Sequence, residues 1–219
     1  MQDKKLRTAV VGAGKMGAIH SKVYKKLPHS DLVAIVDVDL SKAKKMAKEY
    51  KCSAFDDCAP LIGKVDAVTI NPYLGKDGVS PFLDYAEKCS FILCRTSNPS
   101  AGDFQDLIVS STPLYQLVAQ KIREWDVNKN CGAVVGATYP EELKTVRSLL
   151  GEDIPILIPG IGKQGGDVEK TVMNGTNASG EMALINSSRE IIFAGNNEDF
   201  AEQSRGKAQK VRDEINKYR

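Results

Sequence analysis

Eight short runs of apolar, largely β-branched residues recur along this 219-residue chain, and segments with helical spacing separate most of them. That alternation restricts the fold more than any other feature. Parallel neighbours must be joined by a crossover, usually a helix, so a chain written this way forms an α/β protein with a parallel sheet wrapped by helices. The runs lie at 7–11, 32–37, 52–55, 65–71, 91–95, 132–136, 154–158 and 183–186. Between them, Met16, Ile19, Val23 and Leu27 follow at intervals of 3, 4 and 4. Ala43, Met46, Ala47 and Tyr50 repeat the pattern, as do Leu114, Leu117, Val118, Lys121, Ile122 and Trp125. All three read as amphipathic helices. Pro140 suits a first helical turn, with Glu141 and Glu142 complementing the helix dipole ahead of Leu143, Val146 and Leu150. A last helix is expected from about residue 199, with Ala208, Val211, Ile215 and Tyr218 on one face. Stretches 97–112 and 160–180 are rich in Gly, Ser, Asn and Asp and too long for plain connectors, so functional residues are sought there.

At 42% hydrophobic and 26% charged residues, the chain can bury a sizeable core in one large domain or two small ones. No run approaches the roughly 20 apolar residues of a membrane helix. The start, MQDKKLR, lacks the apolar segment of a signal peptide. A cytoplasmic protein with no membrane partner is expected. The five cysteines, Cys52, Cys58, Cys89, Cys94 and Cys131, are odd in number and contain no C-x-x-C pair. They read as reduced, mostly buried thiols, with no disulfide framework and no metal site. Residues 1–64 carry 13 Lys/Arg against 7 Asp/Glu, and residues 65–219 carry 17 against 21. The basic part lacks interleaved aromatics and an arginine cluster, so it reads as a solvated face and not as a nucleic-acid surface. The sequons at Asn174, Asn177 and Asn186 have no role without a route to secretion.

After the first run comes Gly12-Ala13-Gly14-Lys15-Met16-Gly17, the G-x-G-x-x-G spacing between strand and helix. Gly12 permits the turn, Gly14 lets backbone approach a pyrophosphate, and Gly17 lets the helix pack on the strand. The helix amino terminus offers unpaired N–H groups to an anion. Asp37 closes the second run 20 residues after Gly17, where a carboxylate can accept from an adenosine ribose. A NAD or ADP-like ligand at this turn is one reading; glycines that only shape a tight turn are the other.

From KLRTAVVGAGKMGAIHSKVYKKLPHSDLVAIVDVD through KCSAFDD to KVDAVTI, residues 5–70 resemble the Rossmann start of the glucose-fructose oxidoreductase and inositol dehydrogenase family. The resemblance implies a nicotinamide dinucleotide fold, but it stops at Ile70. The family's Glu-Lys-Pro motif, its second mononucleotide half and its substrate domain are not found in the sequence. It therefore supports an adenosine-diphosphate site at most and gives no reason to expect hydride transfer.

From Asp66 onward the segments DAVTINPYLG, FILCRTSNPSAGDFQDL, GAVVGATYPEEL, IPILIPGIGKQGGD and INSSREIIFA resemble, in that order, orotidine 5'-phosphate decarboxylase of the longer bacterial type. The chemistry of the residues is readable beside the resemblance. Gly160, Gly162, Gly165 and Gly166 make a loop after a strand whose backbone N–H groups can converge on a phosphate. Gln164 can donate its side-chain amide, and Arg189 a planar bidentate contact. The resemblance implies phosphate binding by Gln164, Ser188 and Arg189, with Gly165 in the same loop, and places Ser97 and Asn98 against a pyrimidine ring. Isolated, Arg189 would read as a surface ion pair with Glu190 or Asp167.

The family's alternating Lys/Asp array, with D-x-K-x-x-D on the third strand, has no counterpart in register. The third run reads CSAFDDCAP, and Asp37-Val38-Asp39-Leu40-Ser41-Lys42 holds the right residue types at the wrong spacing. Decarboxylation needs an ammonium to protonate the developing carbanion and a carboxylate to stress the leaving group. His20 and His29 read as surface residues, so no catalytic residue is assigned.

The expected architecture is a (βα)₈ barrel-like α/β fold whose first three βα units are of Rossmann origin. An open, doubly wound parallel sheet is the alternative. Segment 1–64 would be a half-Rossmann unit and 65–219 five barrel-type units, joined in one continuous globular domain. The expected function is a chimeric scaffold that binds a nucleotide monophosphate or phosphate ion without turnover. An active decarboxylase of pyrimidine biosynthesis and a NAD-binding oxidoreductase-like protein are the alternatives. No cofactor is required by this reading, and the decarboxylase resemblance implies a homodimer.

Overall fold

The computed structural model describes residues 5–61, 64–162, 166–195 and 199–219. The chain divides into two compact units, one of residues 1–68 and 87–89, the other of residues 69–86 and 90–219.

The first unit contains β1 (Leu6–Val11), α1 (Lys15–Lys26), β2 (Ser30–Val36), α2 (Leu40–Tyr50) and β3 (Ser53–Phe55). The strands form a parallel sheet in the order β1-β2-β3. Along β2, Ala34 and Val36, two apart, share a cluster with Leu61, while Leu32 and Ile35 share another with Val10, Ala43 and Ala47. Leu32 and Ile35 are three apart yet share a cluster, and the β1/β2 register shifts beside them between Thr8 and Ala9. Asp39 starts α2 by accepting from the N–H groups of Ser41 and Lys42. Lys51, left-handed at φ 55°, ends it by donating its N–H to Ala47. Asp66 is an anchor for this unit. Its Oδ2 accepts from the Arg7 backbone N–H at 2.9 Å, and its Oδ1 takes Arg7 Nη2 and Lys88 Nζ, each at 3.1 Å.

The chain continues with β4 (Ala67–Ile70), α3 (Lys76–Leu83) and β5 (Cys89–Arg95). Then come α4 (Gly102–Gln105), the two-residue hairpin strands β6 (Ile108–Val109) and β7 (Thr112–Pro113), and α5 (Leu114–Trp125). The final elements are β8 (Cys131–Val135), α6 (Pro140–Leu150), β9 (Ile156–Pro159), α7 (Val168–Gly175), β10 (Ala183–Asn186), α8 (Arg189–Ile192) and α9 (Phe200–Ile215). A second sheet runs in the order β4-β5-β8-β9-β10, parallel at β5/β8, β8/β9 and β9/β10. Its middle strand, β8, is buried at all five residues, as a parallel strand covered on both faces must be.

All eight expected strands are present. The stretch at 160–180 is not all loop, because Asp167 caps α7 through the Lys170 N–H and the helix buries Thr171, Val172 and Gly175. The stretch at 97–112 likewise holds α4 and part of the small hairpin. Only Cys94 and Cys131 are buried, whereas Cys58 is exposed and Cys52 and Cys89 are half-buried, so the thiols are less sequestered than expected. Burial pushes the Cys94 thiol up to about 12. His29 is exposed and His20 half-buried, its ring stacked near Tyr24. No helix among the described residues is long and apolar enough to cross a membrane.

The second unit also holds a buried arginine. Arg147 of α6, 8% exposed, donates to the carbonyls of Gly175, Gly151, Ile154 and Met182 at 2.8–3.0 Å. It thereby joins the carboxyl ends of α6 and α7 to the entries of β9 and β10. Those carbonyls offset the desolvation that draws its pKa below the usual arginine value.

Candidate functional site

Neighbouring strands of the second sheet bring their carboxyl ends, and the turns that follow them, onto one edge. Backbone bonds continue the ladder past the strands: Gly136 N–H donates to Arg95, Ala137 N–H to Pro159, and Gly160 N–H to Asn186. Ser97 and Asn98 after β5, Gly136 after β8, Gly160, Gly162 and Gly166 after β9, and Ser188 and Arg189 after β10 therefore share this edge. Small residues permit the crowding. A Cβ at Gly136 would lie 2.7 Å from the Ser97 Cβ and 2.9 Å from its nitrogen. One at Gly166 would lie 2.7 Å from both the Ala137 Cβ and the Gly160 oxygen. Gln164 and Gly165 lie outside the described residues.

Ser188 precedes α8 and Arg189 opens it; both are exposed. The two carboxylates that could have claimed Arg189 are committed elsewhere. Glu190 pairs with Lys207 of α9 at 2.5 Å, and Asp167 caps α7. Among the described residues Arg189 makes no ion pair, which leaves its guanidinium available to an anion.

The turn after β5 is held by residues to which the sequence reading assigned no role. Arg95, 2% exposed, ends an otherwise apolar strand. Its Nε and Nη2 meet the two oxygens of Asp106, each at 2.9 Å, while Nη1 donates to the Thr96 carbonyl at 2.8 Å. Its guanidinium lies over the Tyr139 ring at 3.9 Å. Gln105 accepts the Thr96 backbone N–H at 2.8 Å and donates Nε2 to the Thr96 hydroxyl at 2.9 Å. A charged residue closing the run FILC was the available signal, because a cation there needs partners wherever the strand is buried.

Among the described residues, cavities open at two places in this unit. One of about 530 Å³, between β10 and α9, is lined by residues including Met182, Ile185, Val211 and Ile215 and holds none of the expected site residues. Another of about 420 Å³ opens beside Gly162 and Gly166, but Asp167, Glu169, Glu190 and Glu214 line it. Four carboxylates make it a poor seat for a phosphate. Among the described residues no cluster of His, Cys, Asp and Glu could hold a metal ion.

In the first unit the glycine turn has the geometry its spacing predicts. Gly12 sits at φ 95°, its N–H donating to Val36. A Cβ on Gly17 would run into the Gly12 carbonyl, whereas one on Gly14 would meet nothing. Asp37, however, is already engaged. Its Oδ2 accepts from the Ala13 N–H at 2.7 Å and its Oδ1 from the Asp39 N–H at 2.9 Å, which hold its carboxyl below the usual range.

The orotidine 5'-phosphate decarboxylase / HUMPS family model matches residues 58–204, more than half of the chain. The chain belongs to the orotidine 5'-phosphate decarboxylase family. Curated relatives with that name include one from Azoarcus sp. (strain BH72), 46% identical over 192 residues, covering 87% of this chain and 69% of that protein. Another, from Dechloromonas aromatica (strain RCB), is 42% identical over 206 residues and covers 94% and 73%. The chain thus spans about seven tenths of these decarboxylases. Among solved structures, Leishmania donovani UMP synthase superposes with a TM-score of 0.74 at 28% identity, covering 97% of this chain and 53% of that one. Leishmania donovani OMP decarboxylase gives 0.67 at 26%, covering 94% and 93%. The fold is the barrel-type α/β fold of the decarboxylase family. Residues 6–83 also match an oxidoreductase family with an NAD-binding Rossmann fold, overlapping the decarboxylase match.

Proposed function

We propose that the chain binds the phosphate of a nucleoside monophosphate through Ser188, Arg189 and the loop carrying Gln164 and Gly165. Ser97 and Asn98 read the pyrimidine, and orotidine 5'-phosphate is not turned over. The observation that carries the last point is how the lysine and carboxylates nearest the family's catalytic types are used. Asp39 caps α2, Lys42 pairs with that same Asp39 at 3.4 Å, and Asp37 is bound to the backbone of Ala13 and Asp39. β3 then leads to Asp56 and Asp57 with no lysine between carboxylates. Among the described residues, none of Lys42, Asp37 and Asp39 is left unengaged at these strand ends, which supports a site lacking both the proton donor and the electrostatic stress on the leaving group.

The unit-one segment is then a Rossmann-like replacement for the start of a barrel, which makes the chain a chimera of two α/β families. Gly12, Gly14 and Gly17 would cradle a NAD or ADP-like pyrophosphate, with Asp37 sharing its remaining lone pairs with a ribose. The function needs no cofactor. Identity of 46% to a named decarboxylase favours a second reading, an active carboxy-lyase. Spectrophotometric assay of protein purified from a host lacking its own decarboxylase separates the two: no loss of orotidine 5'-phosphate above background is expected, and enzyme-dependent loss would establish the second reading.

Binding is tested by calorimetry with uridine monophosphate. Arg189→Ala removes a charged hydrogen-bond donor and should weaken binding by roughly 1.5–3 kcal/mol, or about 10- to 150-fold. Unchanged affinity would remove Arg189 from the site.

A further inference from the structure

Resting on that reading of the site, we infer that Gln105, Thr96 and Asn98 form a relay that fixes which group the turn after β5 presents to a ligand ring, and that it selects a ring carbonyl over an amino group. The relay starts from an atom whose role is not adjustable. A backbone N–H can only donate, so the Thr96 N–H, 2.8 Å from Gln105, fixes that amide with Oε1 toward it. Arg95 Nη1, at 3.4 Å from the same oxygen, favours the same orientation. Gln105 Nε2 must then donate to the Thr96 hydroxyl at 2.9 Å. A hydroxyl that accepts there has one proton left to give. It goes to Asn98 Oδ1, the nearer acceptor, since Gln105 Oε1 lies 3.3 Å away and is already shared.

Asn98 Oδ1 is thereby tied inward and its Nδ2 is left outward, with no acceptor among the described residues. Asn98 is exposed on the edge that also carries Arg189. Arg95 keeps the assembly in place, because its hold on Asp106 and on the Thr96 carbonyl fixes both ends of the segment that carries Gln105. An outward N–H₂ accepts a uracil-type carbonyl as partner. An amino group at the same ring position would bring two donors together and leave both unpaired, a loss a site built on hydrogen bonds turns into discrimination.

The test is calorimetric titration of the full chain with uridine monophosphate, cytidine monophosphate and inorganic phosphate. The unsubstituted protein should prefer uridine to cytidine monophosphate by roughly 10- to 100-fold. Gln105→Glu replaces the Nε2 donor with an acceptor, so the Thr96 hydroxyl turns to it and releases Asn98. Thr96→Val breaks the relay independently, should Gln105→Glu fail to fold. Either should bring the preference to within about threefold, and Asn98→Asp, which presents only acceptors, should reverse it. Affinity for inorganic phosphate should be unchanged in Thr96→Val, which adds no charge. A preference that survives both relay variants, no preference in the parent protein, or a preference lost in Thr96→Val together with phosphate affinity would each overturn the relay. A parent protein that binds no uridine monophosphate would instead overturn the proposed function, and the relay with it.

Discussion

Replacing Arg147 with methionine is expected to destabilise the second unit by roughly 3–5 kcal/mol, because several buried carbonyls lose their donor at about 1–3 kcal/mol each before relaxation. Methionine keeps much of the volume but donates nothing. The carbonyls of Gly175, Ile154 and Met182, each bonded to the guanidinium at 2.8–3.0 Å, would then lie in a largely dry region without that partner. Lysine cannot repair the loss, because one ammonium cannot reach acceptors spread around a planar fork. Trp125, the chain's one tryptophan, lies on α5, which packs against α6, so its fluorescence follows the unit in question. The midpoint should fall by roughly 10 °C, from about 2–4 °C per kcal/mol in a chain of this size. A shift below 2 °C would show that the four carbonyls find other donors.

Asp66→Asn should weaken the first unit by about 2–4 kcal/mol at pH 7, an effect that begins to shrink only below about pH 4 and vanishes only below the native pKa. The carboxylate holds two cations and one backbone N–H, and the backbone bond contributes most to keeping its pKa well below the usual carboxylate range. The native group stays ionised where the unfolded one, near 3.9, takes up a proton. Its contribution is therefore fully present above that value and is lost as pH falls through the native pKa. Hydrogen exchange at the β1 and β2 amides reads the unit directly. Protection should drop in the variant at pH 7, and the gap between the two proteins should narrow on acidification. A gap independent of pH would mean that the asparagine effect is steric and that charge has no part in it.

The strands were legible because a buried parallel strand needs β-branched apolar residues, and VVG, VTI, AVV and ILI supply them. The amphipathic helices were legible for a related reason: α5 and α6 carry their apolar residues at intervals of three and four. Helix α7 was hidden by Asn and Gly around it, although Asp167 followed by Val168, Thr171 and Val172 is a cap and a face. Helix α3 was hidden by Pro81 in its last turn. Buried arginines defeated the reading for a different reason. A sequence shows the charge of Arg95 and Arg147 but not the acceptors, and those come from residues up to 35 positions away. At the site, Ser97, Asn98, Ser188 and Arg189 fall on one edge as their positions after successive strands suggest. The spacing of Asp37 from the glycine turn suggested an open acceptor. The structure shows the carboxylate closing that turn onto itself, a local bond that spacing cannot reveal.

The contact between Gly136 and Ser97 makes the absence of one carbon atom a design parameter of the edge. Position 136 presents no side chain to any ligand, yet it sets how far apart two neighbouring turns stand. Every residue other than glycine there pushes on Ser97 and its backbone, moving the turn that carries Ser97 and Asn98 while leaving each of its chemical groups unaltered. The spacing of the two turns can therefore change through a position that contributes no chemical group of its own.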